Sequence, residues 1–588
     1  MQPVLLLILV TICAAVPGTT YLDFGTFGRS PSLSDRFAAQ VCAGLAARDP
    51  GTHGSVYTVG GDKRDLDWLV STHNNDTIVD NATITDISVF VRRCLHGDPA
   101  LKLAPIAQGW MRYDFETQKV VVPNLVTLAA VMDVIPVQDT DVVRFGLGAI
   151  APLFDALKQF PVSLTNDTAN APRAVTAWVF DHFANSTTGA AKMNPGLDVH
   201  GSHKINPPLT RDPDLGLIDF IVKQRLFNFF LNLGCVPLTA DHKLMERIAK
   251  TNPWPRPLVV WGYDDTIAIA GDLFEAETDC VSEHDMGQVA SNGCSNLAFF
   301  ASRPAGPVAA PLQQVPDPPS MALPYNESLT YVAIIMGDGD NLNFVKGSRR
   351  DWMIERTAYC AAVAPDPCFP LVWTLSPAAL HAAPDFVRWY YSQATRTKAD
   401  YFVLPPSGHS YAYPGQMSAD DQVRFVAATE ADARLMNTSA TVSWELLATW
   451  PHALEHYFPR FGHAGIVRTA FAVNVPFMVP VLSFAGAHYK VLGSGDDQVV
   501  VFAPREWRGN GSTADPLEKP AVLSPKAMAA ELSNYPRGTV SHVYTTSDGG
   551  FSFQQLVEMQ AALADHVRLV SSNEVGLRAL QRDRATRT

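Results

Sequence analysis

Eight short apolar runs recur through the C-terminal part of the chain, at residues 331–336, 369–375, 400–404, 441–446, 465–470, 476–482, 498–503 and 539–545. Runs of this length, rich in β-branched and aromatic residues, read as buried strands. The stretches between them are long enough for helices, with 386–395 and 551–564 the clearest. Parallel strands need such crossovers. The segment is therefore expected to be α/β, a C-terminal (β/α) TIM-like barrel over residues 325–588. A doubly wound open sheet is the competing arrangement.

The first half reads as βα units as well. Residues 54–60 suggest a strand and 62–71 the helix after it. Residues 104–113 and 257–262 suggest further strands, 125–134 a helical or mixed run, and 218–231 one strongly apolar helix. This gives an N-terminal α/β module over 19–139 and a second over 140–304. Residues 305–324 contain Pro307, Pro311, Pro316, Pro318, Pro319 and Pro324, which resist helix and central strand, so a linker is expected there.

Residues 5–15 form an apolar run ending in Ala14 and Ala15, as in a secretory signal. Residues 1–18 are assigned to it, and the mature chain is expected to be secreted and extracellular. Residues 217–234 are the nearest later candidate for a membrane span, but Asp219, Lys223 and Arg225 interrupt them. Seven Asn-x-Ser/Thr sites, at Asn75, Asn81, Asn166, Asn185, Asn326, Asn437 and Asn510, are candidate glycosylation positions. Beyond Cys13, seven cysteines remain. Short separations suggest Cys280–Cys294 and Cys360–Cys368, then Cys42–Cys94, with Cys235 free. A net charge of −13 argues against nucleic acid and anionic membrane as partners.

One segment carries a name. Gly408-His409-Ser410-Tyr411-Ala412-Tyr413-Pro414 resembles the signature Gly-x-Gly-Tyr-x-Tyr-Pro of the GxGYxYP putative glycoside hydrolase family, with Ser410 in place of the second glycine. Residues 331–341, ending Gly-Asp-Gly-Asp-Asn, resemble that family's strand ending in Ser-Asp-Gly-Asp-Asn. Residues 125–137, 258–265 and Asn296-Leu297 resemble its upstream segments. The resemblance implies a carbohydrate substrate.

Asp338 and Asp340 follow an apolar strand, two residues apart, so in extended chain both face one side. Glycoside hydrolysis needs two carboxyl groups, one protonated and one ionised. The alternative is that they shape a turn, or that Asp-Gly-Asp-Asn oxygens hold a structural calcium ion; Asn341, next in the chain, is a candidate for binding substrate. No other cofactor is expected. Glu445, after Trp444 at another strand end, is the third catalytic candidate. Tyr411 and Tyr413 could form a sugar platform with His409 beside it, and Trp373 a further subsite. Arg505 and Glu506 could orient substrate. Asp264, Asp265 and Asp548 are weaker candidates. His452 and His456, at i and i+4, fit a zinc pattern, which would make the chain a metal-dependent deacetylase or peptidase. A carbohydrate-binding protein without turnover is the remaining alternative.

Overall fold

A computed structural model describes residues 18–28, 31–72, 79–100, 103–196, 213, 215–262, 276–303, 307–475, 481–511, 519–546 and 551–587. The expected signal segment, Asn75, Asp264, Asp265 and Asp548 lie outside the described residues. The architecture is mixed α/β with several parallel sheets. Strands β1 (Thr19–Asp23) and β2 (Ser55–Val59) pair in parallel. Strand β3 (Gly109–Arg112) lies between β4 (Val134–Val137) and β5 (Phe154–Asp155). A third parallel sheet takes the order β7-β6-β8-β9, from β6 (Ala190–Lys192), β7 (Phe227–Phe229), β8 (Leu258–Trp261) and β9 (Met286–Val289).

The C-terminal array begins with β10 (Thr330–Met336), β11 (Leu371–Thr374) and β12 (Asp400–Val403), which pair in parallel in that order. A parallel bridge from Leu404 to Thr441 leads to β13 (Ala440–Leu446), which pairs with β14 (Thr469–Val475). Strand β15 (Tyr489–Leu492) is antiparallel to β16 (Val499–Phe502), and β16 is parallel to β14. Three residues beyond β16, β17 (Glu506–Trp507) pairs with β18 (Val540–Thr545), and β18 pairs with β10. Strand β19 (Val567–Leu569) joins the start of β10.

The two faces of these strands separate cleanly. Tyr331, Ala333, Ile335, Val442, Trp444, Phe471, Val540 and Tyr544 share one cluster. Val332, Ile334, Met336 and Trp373 belong to another, with Phe386, Tyr390 and Phe425 of the surrounding helices. That is the period-2 alternation of a strand buried on both faces. The helix Ser572–Arg587 adds Val575 and Ala579 to the first cluster and covers the start of the strands.

Several expectations are corrected. Residues 218–231 are not one helix: the helix Ile218–Gln224 ends where Arg225 turns left-handed (φ 53°), and β7 then pairs with β6. The run at 465–470 is mostly a connection: Gly465 caps Pro459–Ala464, residues 466–468 are irregular, and the strand starts at Thr469. Most of 476–482 lies outside the described residues. The Pro-rich segment is a strap lying against the array. Val308 N–H donates to Leu380 O (3.1 Å), Leu312 N–H to Leu435 O (2.8 Å), and the Gln314 amide to Phe402 O (2.7 Å).

A buried ion pair ties the N-terminal half of the chain to the C-terminal array. Lys346 Nζ donates to Asp65 Oδ1 (2.7 Å) and Ser295 Oγ (2.6 Å), with Lys346 and Asp65 wholly enclosed. Removing one partner of such a pair strands the other charge.

Disulfides join Cys42 to Cys94 and Cys360 to Cys368, as expected. The third corrects the reading: Cys280 pairs with Cys235, and Cys294 is a buried thiol. The helix end at 282 and strand β9 carry the chain away from Cys280 before it reaches Cys294, so short separation misled. Among the described residues no helix is long and apolar enough to cross a membrane.

Candidate functional site

The C-terminal ends of the parallel strands lie on one side of the array. At the end of β10, Gly337 N–H donates to Thr545 O (2.7 Å), Asp338 N–H to Tyr544 Oη (3.0 Å), and Gly339 N–H to Thr374 Oγ1 (2.9 Å). Asp338 is left-handed (φ 58°). A Cβ on Gly337 would overlap the Tyr544 ring, and one on Gly339 the Thr374 backbone, so only glycine fits on either side of Asp338. Asn341 accepts from Asn343 N–H (2.9 Å) and caps the next helix.

The turn leaves Asp338 and Asp340 half-buried and close in charge. Burial, then the Asp338 charge, pushes the Asp340 carboxyl up to about 7, and Arg349 opposes this. Arg349 lies beneath, donating to Met336 O (3.1 Å) and Thr374 O (2.5 Å).

Glu506 completes the group. It stands in register with Tyr544 across the β17–β18 pair, so the two side chains share a face. Glu506 is buried and accepts from Arg508 Nε (3.1 Å). Burial, then Asp338, Asp340 and Glu506, holds the Tyr544 hydroxyl well above the usual phenol range. Three carboxylates thus surround one phenol. Trp444 lies 6.1 Å from Tyr544 and Tyr411 5.3 Å from Trp444, both edge-on, giving an aromatic wall beside the acids.

Other candidates fall elsewhere. Glu445 is corrected: Trp444 faces inward, so Glu445 faces the outer shell, wholly buried. Its oxygens accept from Gly415 N–H (2.7 Å) and Thr449 Oγ1 (2.7 Å), and burial pushes it up to about 8. Trp373 is no subsite. It is fully buried beneath Arg349, with its indole N–H on Asp400 (2.7 Å). His409 turns to the helix Ala419–Met436 and meets Asp432 (2.7 Å). Arg505 grips Glu531 (2.8 and 2.5 Å) and donates to the Glu506 backbone carbonyl (2.9 Å).

The signature loop is a seam rather than an open platform. Tyr411 and Gln288 exchange backbone hydrogen bonds (2.9 and 2.8 Å), and Tyr413 N–H donates to Ser282 Oγ (2.9 Å). Tyr411 is 4% exposed and Tyr413 not at all, so neither offers a face to a sugar. A Cβ on Gly287 would overlap the Ser410 hydroxyl: glycine in β9 makes room for serine in the loop.

The His452 and His456 rings lie 4.7 Å apart between centroids and tilted by 58°, with His452 Nδ1 on Gly415 O (2.9 Å). Among the described residues, no group of three or more His, Cys, Asp or Glu could hold a metal ion. Sequence reading missed Tyr544, Arg349 and Arg508. The signal for Tyr544 was its alternation with Val540 and His542 along one face.

Residues 328–472 match the model of the GxGYxYP putative glycoside hydrolase C-terminal domain. That match takes in Asp338, Asp340 and the signature loop but ends before Glu506. No curated protein matches the chain. Among solved structures, it is similar to a putative hydrolase from Bacteroides thetaiotaomicron, with a TM-score of 0.67, 17% identity, 96% of this chain and 95% of that one covered. At that identity the likeness is one of fold. A putative polysaccharide deacetylase from Mycobacterium smegmatis gives a TM-score of 0.29 at 13% identity over 46% of this chain and 95% of that one. A 4-alpha-glucanotransferase from Thermococcus litoralis gives 0.27 at 14% over 42% and 38%. Neither of these two carries an argument.

Proposed function

We propose that the chain is a secreted glycoside hydrolase whose C-terminal strands form a (β/α) barrel, with the reaction at its mouth. The observation that carries this is the convergence of Asp338, Asp340 and Glu506 on Tyr544, with Asp340 pushed up to about 7. The family match supports the substrate class. Chemistry in such barrels concentrates at the C-terminal strand ends.

Asp340, still protonated near neutral pH, serves as general acid. Its proton passes to the glycosidic oxygen as the C–O bond breaks. Glu506, whose carboxylate accepts from the Arg508 guanidinium, acts on the opposite side, as base toward water or as nucleophile toward the sugar carbon. Asp338 keeps the Asp340 proton in place by repelling a second negative charge. Trp444 supplies the apolar wall.

Secretion is supported by three disulfides, which belong to oxidising compartments. It is also supported by the exposure of all six described sequon asparagines.

The test is turnover of a panel of 4-nitrophenyl glycosides and polysaccharides. Asp340→Asn and Glu506→Gln should each lower kcat by at least about 100-fold. Unchanged rates in both would remove these residues from the mechanism. Sugar binding without turnover by the wild-type chain would mark a carbohydrate-binding protein instead.

A further inference from the structure

Glu506 also borders a second space. A cavity of about 300 Å³ runs from it between the ends of β14 and β16 and the residues around His488. Its apolar walls are Val473, Val481, Phe484 and Ala503. Its polar edge holds His488, whose ring packs against Tyr535 at 4.9 Å. The Arg505 guanidinium at the same edge is committed to Glu531. Asn474 already accepts from the Trp450 indole (2.8 Å).

We infer that this cavity is the subsite for one N-acylated hexosamine unit, its acyl methyl against Val473, Val481 and Phe484 and its amide against His488. The inference rests on the hydrolase reading of the mouth, since it places the sugar against Glu506.

Three features select this class. The volume is at the small end for ligand sites, so it suits one sugar unit rather than a chain. Hydroxyls of a plain hexose would lie unpaired on the apolar walls, which is costly, whereas an acetyl methyl is at home there. Among the described lining residues the one guanidinium or ammonium group is Arg505, and Glu531 neutralises it, so a uronate or sulfate is less suited. Burial lowers the His488 pKa, so the ring stays neutral and offers one donor and one acceptor, the complement of an amide.

The experiment is calorimetric binding of N-acetylglucosamine and N-acetylgalactosamine, against glucose and galactose, to the full chain. At least one acetamido sugar should bind ten-fold or more tighter than its parent hexose. Ala487→Trp on the exposed rim should abolish that binding with the melting temperature kept. His488→Leu should remove the acetamido preference. Equal binding of both sugar types, no binding at all, or binding undisturbed by Ala487→Trp would overturn the subsite. Selective binding with no turnover of 4-nitrophenyl N-acetylhexosaminides would sink the hydrolase reading alone. Turnover of plain glycosides with no acetamido preference would sink the subsite alone.

Discussion

Two neighbouring side chains, Trp444 and Glu445, meet opposite fates because a strand alternates. Trp444 faces the interior beside Tyr544, and Glu445 faces the shell and accepts from Gly415 and Thr449. Burial raises Glu445 from the ordinary 4.5 to about 8 in the folded chain. The neutral carboxyl is therefore the stable buried form. Its contribution to stability is full below about pH 4.5 and is lost as pH rises toward 8, by at most about 1.4 kcal/mol per unit. Glu445→Gln cannot ionise, so its unfolding free energy should fall less between pH 5 and 8 than that of the wild type. Denaturant titrations at both pH values read this directly; equal slopes would contradict a neutral buried Glu445.

At the scale of elements, the seam between β9 and the signature loop is the most exacting contact. Gly287→Ala should cost about 1–3 kcal/mol by overpacking against Ser410. Ser410→Gly, which restores the signature glycine, should recover most of that loss in the double variant. Additive costs in the cycle would show that the two residues do not meet. This seam also shows where sequence reading stops. The strand before Asp338 and Asp340 was legible because an apolar run ends in glycines that only a tight turn needs. The core strands were legible from their apolar runs. Glu445 was not, since alternation says that two neighbours face opposite ways but not which one faces inward. The tyrosines were misread for a related reason. An aromatic loop in isolation suggests a sugar platform, and only the pairing with Gln288 buries it. Glu506 was named, but its register with Tyr544 depends on the irregular Ala503–Arg505 link, which carries no local signature.

For the whole molecule, the decisive contacts join modules that the sequence presents as separate. Lys346 reaches Asp65 across nearly the whole N-terminal half, and the Pro-rich strap lies on the array instead of swinging free. Cys235–Cys280 belongs to the same tier, fastening the helix Ala276–Ser282 to the turn that follows β7. A non-reducing peptide map should contain a Cys235–Cys280 cross-linked species, with Cys294 alkylated only after unfolding. A Cys280–Cys294 species would contradict the fold around β9.

The proposed mechanism depends on one carboxyl group keeping its proton where most aspartates have lost theirs. Isotope-labelled aspartate carboxyls, followed by carbon NMR across pH and assigned with Asp340→Asn, measure this without any substrate. The Asp340 signal should titrate near pH 7, and earlier in Asp338→Asn. Titration near pH 4 in the wild-type chain would contradict the acid assigned to the strand mouth.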